Sequence, residues 1–140
     1  MAGTRQTSHA RLALRGDHSQ AFLGETATPV VYGAAGSSTL DHIIAAVGAC
    51  MFETLALALA VRGVEFERAK FAAAVEGTIE GRTPASERIA GIHIHYTLAI
   101  PARQRPAADR ALRFHARGCP AHETLRDAVA ITWSADITEG

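Results

Sequence analysis

Residues 41–63 read DHIIAAVGACMFETLALALAVRG. Ile43, Ile44, Val47, Met51, Phe52, Leu55, Leu57, Leu59 and Val61 fall on every side of the helix this stretch predicts. A helix that is apolar all round is either enclosed by protein or lies in a membrane. Its length is compatible with a span, which needs ~20 apolar residues. Glu53 and Thr54 near its middle argue against one, because a carboxylate at bilayer depth is expensive. The stretch is therefore read as the buried central helix of a soluble protein. Ser38 or Thr39 can cap its start and Asp41 complements the dipole of its first turn. Gly63, after Arg62, is the natural stop.

Upstream of the helix, residues 1–8 read as a flexible arm. His9 to Arg15 alternates as a strand, with Leu12 and Leu14 on one face. Arg15-Gly-Asp17 is a turn, Gln20 to Leu23 a second strand, and Pro29 to Tyr32 a short third one. Gly33 to Thr39 is a small-residue loop; it lacks the lysine of a phosphate-binding loop and reads as a linker. Downstream, Ala69, Phe71, Ala73, Val75 and Ile79 alternate with polar residues. Ile92, Ile94, Tyr96, Leu98 and Ile100 alternate with His93, His95, Thr97 and Ala99. A loop over 81–86 joins the two runs as a hairpin. Residues 107–117 suit a helix with Ala108, Ala111, Leu112 and His115 inward and a solvated stripe of Arg110, Arg113 and Arg117 outward. Pro120 to Asp127 is a second short helix with Cys119 at its cap. Val129, Ile131, Trp133, Ala135 and Ile137 form a closing strand.

This order, strands, long helix, hairpin, helix, strand, predicts an α+β fold in a single domain over 9–140. A sheet with one apolar face covers one side of the long helix. The chain has little apolar material left for the other sides, and a second copy is the simplest cover, so a homodimer is expected. Lys+Arg and Asp+Glu are both 14 in 140 residues, for a formal net charge of zero. That balance excludes a general nucleic-acid binder. The polar start MAGTRQTSHAR offers no secretory signal and no second membrane segment, so the expected location is cytoplasmic.

The two cysteines, Cys50 in the helix and Cys119 at the cap of the second short one, carry the candidate chemistry. In a cytoplasmic chain a permanent disulfide is uncommon. Buried inert thiols are the bland alternative. A helix N-terminus favours a thiolate, and Arg117, His115 and His122 lie close along the chain, so local position marks Cys119 as the more acidic thiol. Glu53 shares a helical face with Cys50. Two other readings compete. His93 and His95 share a strand face, and His42 with Cys50 and Cys119 could hold a metal or small ligand; the cysteines lack zinc-finger spacing, so no metal or cofactor is expected. A structural dimer with bystander thiols is the other. A Ser-His-Asp hydrolase has no Gly-x-Ser-x-Gly to support it, and Ser37, Ser38 and Ser86 lack marked partners.

Leu40-Asp-His-Ile-Ile-Ala-Ala-Val-Gly-Ala-Cys50 resembles the Pro-Glu-x-Leu-Leu-x-Ala-Ala-x-x-Ala-Cys helix of the OsmC and organic hydroperoxide resistance family. Phe114-His-Ala-Arg-Gly-Cys119-Pro-Ala-His-Glu-Thr-Leu125 resembles its second cysteine motif. The likeness covers roughly residues 10–138. It implies antiparallel sheets wrapped around the long central helix, in an intertwined homodimer with active sites at the interface. It also implies a thiol-dependent peroxidase acting on organic hydroperoxides, whose first cysteine attacks the peroxide and whose second resolves the sulfenic acid as a disulfide. Cys50 is then peroxidatic and Cys119 resolving, reversing the order that helix position suggests, with a dithiol reductant as partner. The family's glutamate position holds Leu40 here, beside the shorter Asp41, and Thr39 stands at its proline. The family's arginine falls on Arg15, with Arg11 as the alternative. Glu53, His115 and His122 are candidates for the surrounding shell. An OsmC-like dimer that binds a small ligand or metal without peroxidase turnover is the alternative function.

Overall fold

The computed structural model describes residues 7–15, 18–33 and 38–140, with the side chains at 14, 15, 18, 19 and 84 outside the description. The Gly-Asp of the expected turn, residues 34–37 of the expected linker and residues 1–6 of the expected arm lie outside the described residues, as does the Arg15 side chain. The chain divides into two compact units, Met1–His42 and Ile43–Gly140.

The first unit is an antiparallel meander. β1 (Ala10–Arg15), β2 (His18–Leu23) and β3 (Val30–Tyr32) pair in that order. Ala10 faces Leu23 across the first pair and Ser19 faces Tyr32 across the second. The Tyr32 ring packs on His42, with centroids 4.4 Å apart.

α1 (Thr39–Val61) is the long helix. Its start is fixed by a reciprocal cap. Asp41 N–H donates to Ser38 Oγ (3.1 Å) and Ser38 N–H donates to the Asp41 carboxylate (2.9 Å), which satisfies a donor otherwise left orphaned. Its end is a Schellman turn. Gly63 takes φ +71°, its N–H donates to Ala60 O, and Val64 N–H donates to Leu59 O. Ile44, Val47, Gly48, Met51, Leu55, Ala58 and Leu59 are buried, a set spaced at three and four residues on one side of the helix. By length and composition α1 could also cross a membrane; its buried side packs on protein instead. Within this single chain Leu57 and Val61 on the opposite side are 63% and 71% exposed.

The second unit holds β4 (Ala72–Glu80), β5 (Arg88–Ile100) and β6 (Ala130–Glu139), in that spatial order. β4 and β5 form the expected antiparallel hairpin, with a bulge between Thr78 and Ile79. Ala69, expected in the first of these strands, sits in a short 3-10 turn before it. β6 corrects the all-antiparallel expectation, because it runs parallel to β5, Gly91 beside Ala130 through Ile100 beside Glu139. The reason is the connection. A helical crossover carries the chain back to the end from which β5 set out, and a strand begun there runs parallel. That crossover is α2 (Arg105–Phe114), a 3-10 turn over His115–Gly118, and α3 (Pro120–Leu125). Pro106, which breaks the strand pattern, lies in the first turn of α2, so the helix opens at Arg105.

Ile92, Ile94, Tyr96, Leu98 and Ile100 of β5 form the middle of the core with Met51, Leu55 and Leu59 of α1 and Ala108, Ala111 and Ala116 of the crossover. Two glycines let α1 and β4 approach. A Cβ on Gly48 would collide with the Val75 side chain, and one on Gly77 with Ile44. Arg110, Arg113 and Arg117 are exposed, as their stripe predicted.

Candidate active site

α1 and the crossover meet at the two cysteines. Cys50 lies mid-helix and is half-buried; Cys119, between the 3-10 turn and Pro120, has no exposed surface. Both thiols are free, and the Cys119 thiol donates to the Cys50 sulfur across 3.1 Å. This is about 1 Å longer than the ~2.05 Å of a disulfide bond. The pair is 69 residues apart along the chain, so only folding brings it together.

Local structure holds each sulfur in place. Thr54 Oγ1–H donates to Cys50 O (2.8 Å), one turn along α1. Cys119 N–H donates to Ala116 O, closing the 3-10 turn, and Cys119 O accepts from Glu123 N–H, opening α3. Burial raises the Cys119 pKa, and the Cys50 thiol beside it pushes the same way; backbone N–H groups of His122 and Ala121 pull against it. The expectation of an acidic Cys119 is therefore corrected. The two amide dipoles at the start of α3 are present, but desolvation of a fully enclosed sulfur outweighs them.

A buried polar group joins β5, the crossover and β6. Tyr96 O–H and His115 Nε2 are 2.8 Å apart, and His115 Nδ1 is 2.8 Å from Leu112 O. A carbonyl only accepts, so Nδ1 carries the proton, and Nε2 accepts from the tyrosine. Trp133 Nε1–H donates to the same Leu112 O (2.9 Å). Burial lowers the His115 pKa and raises that of Tyr96, on which Cys119 also acts. The His115 ring stands edge-on to both Tyr96 and Trp133. His122 also packs edge-on against Trp133, and its buried Nδ1 has no hydrogen-bond partner among the described residues.

Of the residues singled out in the sequence, Cys50 and Cys119 are brought together, and His115 and His122 both pack on Trp133 beside the crossover. Glu53 is exposed and makes no ion pair or hydrogen bond among the described residues. The Asp41 carboxylate is engaged by Ser38, whose backbone N–H and then hydroxyl hold it below the usual carboxylate range. Sequence reasoning missed Thr54, Tyr96 and Trp133. Tyr96 and Trp133 were read only as apolar strand positions, although a buried phenol or indole needs a polar partner. Among the described residues no three His, Cys, Asp or Glu side chains converge to hold a metal ion.

Between α1 and β4, an apolar cleft of about 200 Å³ is lined by Gly48, Ala49, Phe52, Ala73 and Val75, and by neither cysteine. A larger recess of about 470 Å³, lined by Glu65, Phe66, Glu67, Lys70 and neighbours, likewise contains neither cysteine.

A family model described as OsmC-like protein matches residues 33–134. No curated protein sequence matches the chain. Among solved structures the chain is similar to an OsmC-like protein from Mycoplasma pneumoniae, with a TM-score of 0.79 at 16% identity over 96% of this chain and 99% of that one. It is similar to an organic hydroperoxide resistance protein OsmC from Legionella pneumophila, with a TM-score of 0.70 at 14% identity over 96% and 99%. The organic hydroperoxide resistance protein OhrB of Bacillus subtilis gives a TM-score of 0.60 at 13% identity over 94% and 98%. Identities this low establish the shared fold.

Proposed function

The chain belongs to the OsmC-like protein family, and from that premise we propose that it is a thiol-dependent peroxidase that reduces organic hydroperoxides. The observation that carries the reading is the 3.1 Å contact between Cys50 and Cys119. Exposure supports the assignment of roles. Cys50 is the sulfur that solvent reaches, and Cys119 is enclosed. The raised pKa of Cys119 keeps it protonated during the first step, so it does not compete for peroxide.

In that first step the Cys50 thiolate attacks one peroxide oxygen. The O–O bond breaks, that oxygen and its hydrogen stay on Cys50 as a sulfenic acid, and the departing alkoxide takes a proton from solvent and leaves as the alcohol. In the second, Cys119 attacks the Cys50 sulfur. The S–O bond breaks, and the departing hydroxide takes the Cys119 proton as water, leaving one disulfide. A dithiol reductant then restores both thiols by exchange. The apolar faces of α1, which carries Cys50, suit an alkyl hydroperoxide. From the resemblance, Arg15 is the proposed cation for the Cys50 thiolate and Asp41 the proposed stand-in for the family's glutamate. Glu53, His115 and His122 make the outer shell.

A second copy of the chain is the proposed cover for Leu57 and Val61 on the open side of α1, which makes the working protein a homodimer of one domain per chain, residues 9–140. Free, cycling thiols suit a reducing compartment, hence the cytoplasm. The test is thiol titration of reduced protein before and after one equivalent of cumene hydroperoxide. The expected result is loss of both thiols to one intrachain disulfide, and no consumption of peroxide by Cys50→Ser. Two thiols still titratable after peroxide would overturn the proposal.

A further inference from the structure

The outer face of the second sheet carries a hydrogen-bonded chain that the thiol chemistry does not use. Parallel pairing sets His93 beside Thr132, His95 beside Ser134, and Thr97 beside Asp136. His93 Nδ1 is 2.7 Å from Thr132 Oγ1 and its Nε2 is 2.9 Å from Ser134 Oγ. His95 Nδ1 is 2.7 Å from Ser134 Oγ and its Nε2 is 3.0 Å from the Asp136 carboxylate.

One end of this chain fixes every proton in it. The carboxylate only accepts, so His95 Nε2–H donates to Asp136. In the neutral imidazole that leaves a lone pair on His95 Nδ1, and the Ser134 hydroxyl must donate there. Ser134 has one proton, so its oxygen accepts from His93 Nε2–H. His93 Nδ1 then accepts from Thr132. Each group between the ends donates once and accepts once, all in one direction.

We propose that Ser134, His95 and Asp136 form a second nucleophilic centre, separate from the cysteines, that is acylated by small activated esters. The serine hydroxyl already points its proton at a base, and a carboxylate holds that base in the required tautomer, the relation by which a serine is made nucleophilic. Ser134 Oγ forms a bond to the acyl carbon while its proton passes to His95 Nδ1. The ester C–O bond breaks, and an aryl ester departs as its phenolate. His93 Nε2–H, which donates to Ser134 Oγ at rest, is at hand to donate to the carbonyl oxygen as it gains charge. His95 gives the first proton up to solvent and is again a base; water then attacks the acyl carbon, His95 Nδ1 takes the water's proton, and the C–O bond to Ser134 breaks as the serine oxygen recovers that proton from His95. His93, Ser134 and Asp136 are exposed, so small leaving-group-activated esters fit and bulky selective substrates do not. Glu76 of β4 stands beside His93 in register and Ala74 beside His95, so the one carboxylate that β4 brings to this row is level with His93, and β5 separates that strand from the serine.

The experiment is p-nitrophenyl acetate hydrolysis by the full chain, with the acetylated residue located by peptide mass spectrometry at early times. Acetyl on Ser134 is expected, with its rate of formation lowered ~10²-fold in His95→Gln, the usual contribution of a general base. Asp136→Asn lowers it further than Glu76→Gln does. Ser134→Ala abolishes the signal and leaves peroxide consumption unchanged; far-UV circular dichroism verifies that each variant is folded. Acetyl found only on cysteine, lysine or the amino terminus would overturn the proposal. So would acylation of Ser134 at an undiminished rate in His95→Gln.

Discussion

His115→Gln isolates the buried histidine of the crossover. The imidazole bridges Tyr96 O–H to Leu112 O and is 3% exposed. A glutamine amide can still accept from the tyrosine, and Leu112 O keeps the Trp133 indole as donor. At pH 8 the variant therefore loses one hydrogen bond and no charge, about 1 kcal/mol. Acid changes the comparison. Burial lowers the folded pKa of His115 below its ordinary 6.5. The unfolded chain then binds the proton first, so stability falls as pH drops below 6.5 and stops falling only below the folded pKa. One proton contributes at most about 1.4 kcal/mol per pH unit. Acidifying to pH 5 thus removes up to about 2 kcal/mol through His115 alone. Glutamine does not titrate, so the variant escapes that loss, and the other histidines cancel in the difference. Urea unfolding at pH 8, 6.5 and 5 should show the gap between wild type and variant closing or reversing on acidification. Parallel stability curves would show that His115 is not held neutral by burial, and the reasoning would fail.

Three further outcomes follow from the packing. Gly48→Ala forces a methyl into Val75 and should cost about 1–3 kcal/mol in urea unfolding; a neutral result would mean that α1 and β4 are not in contact there. Cys119→Ser should leave Cys50 without its proposed resolving partner, so that excess cumene hydroperoxide drives it to sulfinic acid, seen as a gain of two oxygens in intact mass; a stable free thiol would contradict the proposed roles. Leu57→Glu places a charge on the open side of α1 and should shift light-scattering mass from the proposed dimer to monomer, whereas an unchanged mass would place the interface elsewhere.

How much of this was legible in the sequence depended on whether the signal was local. Ser38, Asp41 and Gly63 mark the ends of α1 by chemistry confined to a few residues, and those ends were readable. The alternation of β4 and β5 and their short loop were readable for the same reason. The contact of Cys50 with Cys119 was available only through resemblance, since nothing in either segment names a partner 69 residues away. The acidity expected of Cys119 failed because helix position is local and burial is not. Tyr96 escaped notice because alternation reports which face a residue takes but not what its hydroxyl meets there.

The direction of β6 shows the limit most sharply. Period-two alternation is the same read forwards or backwards, so Val129 to Ile137 announce a strand without its sense. The sense decides the outer face. In a parallel pair both strands advance together, and polar positions two apart on one stay level with those two apart on the other. That is why Thr132, Ser134 and Asp136 meet His93, His95 and Thr97 in step. An antiparallel β6 would reverse the sequence of neighbours, so that the order Thr132, His93, Ser134, His95, Asp136 could not arise in one direction. A slip of one residue would turn Ser134 towards the core and bring Trp133 outside. The crossover that carries Cys119 to Cys50 also sends β6 back alongside β5, so the thiol pair and the serine chain on the opposite face share one topological cause.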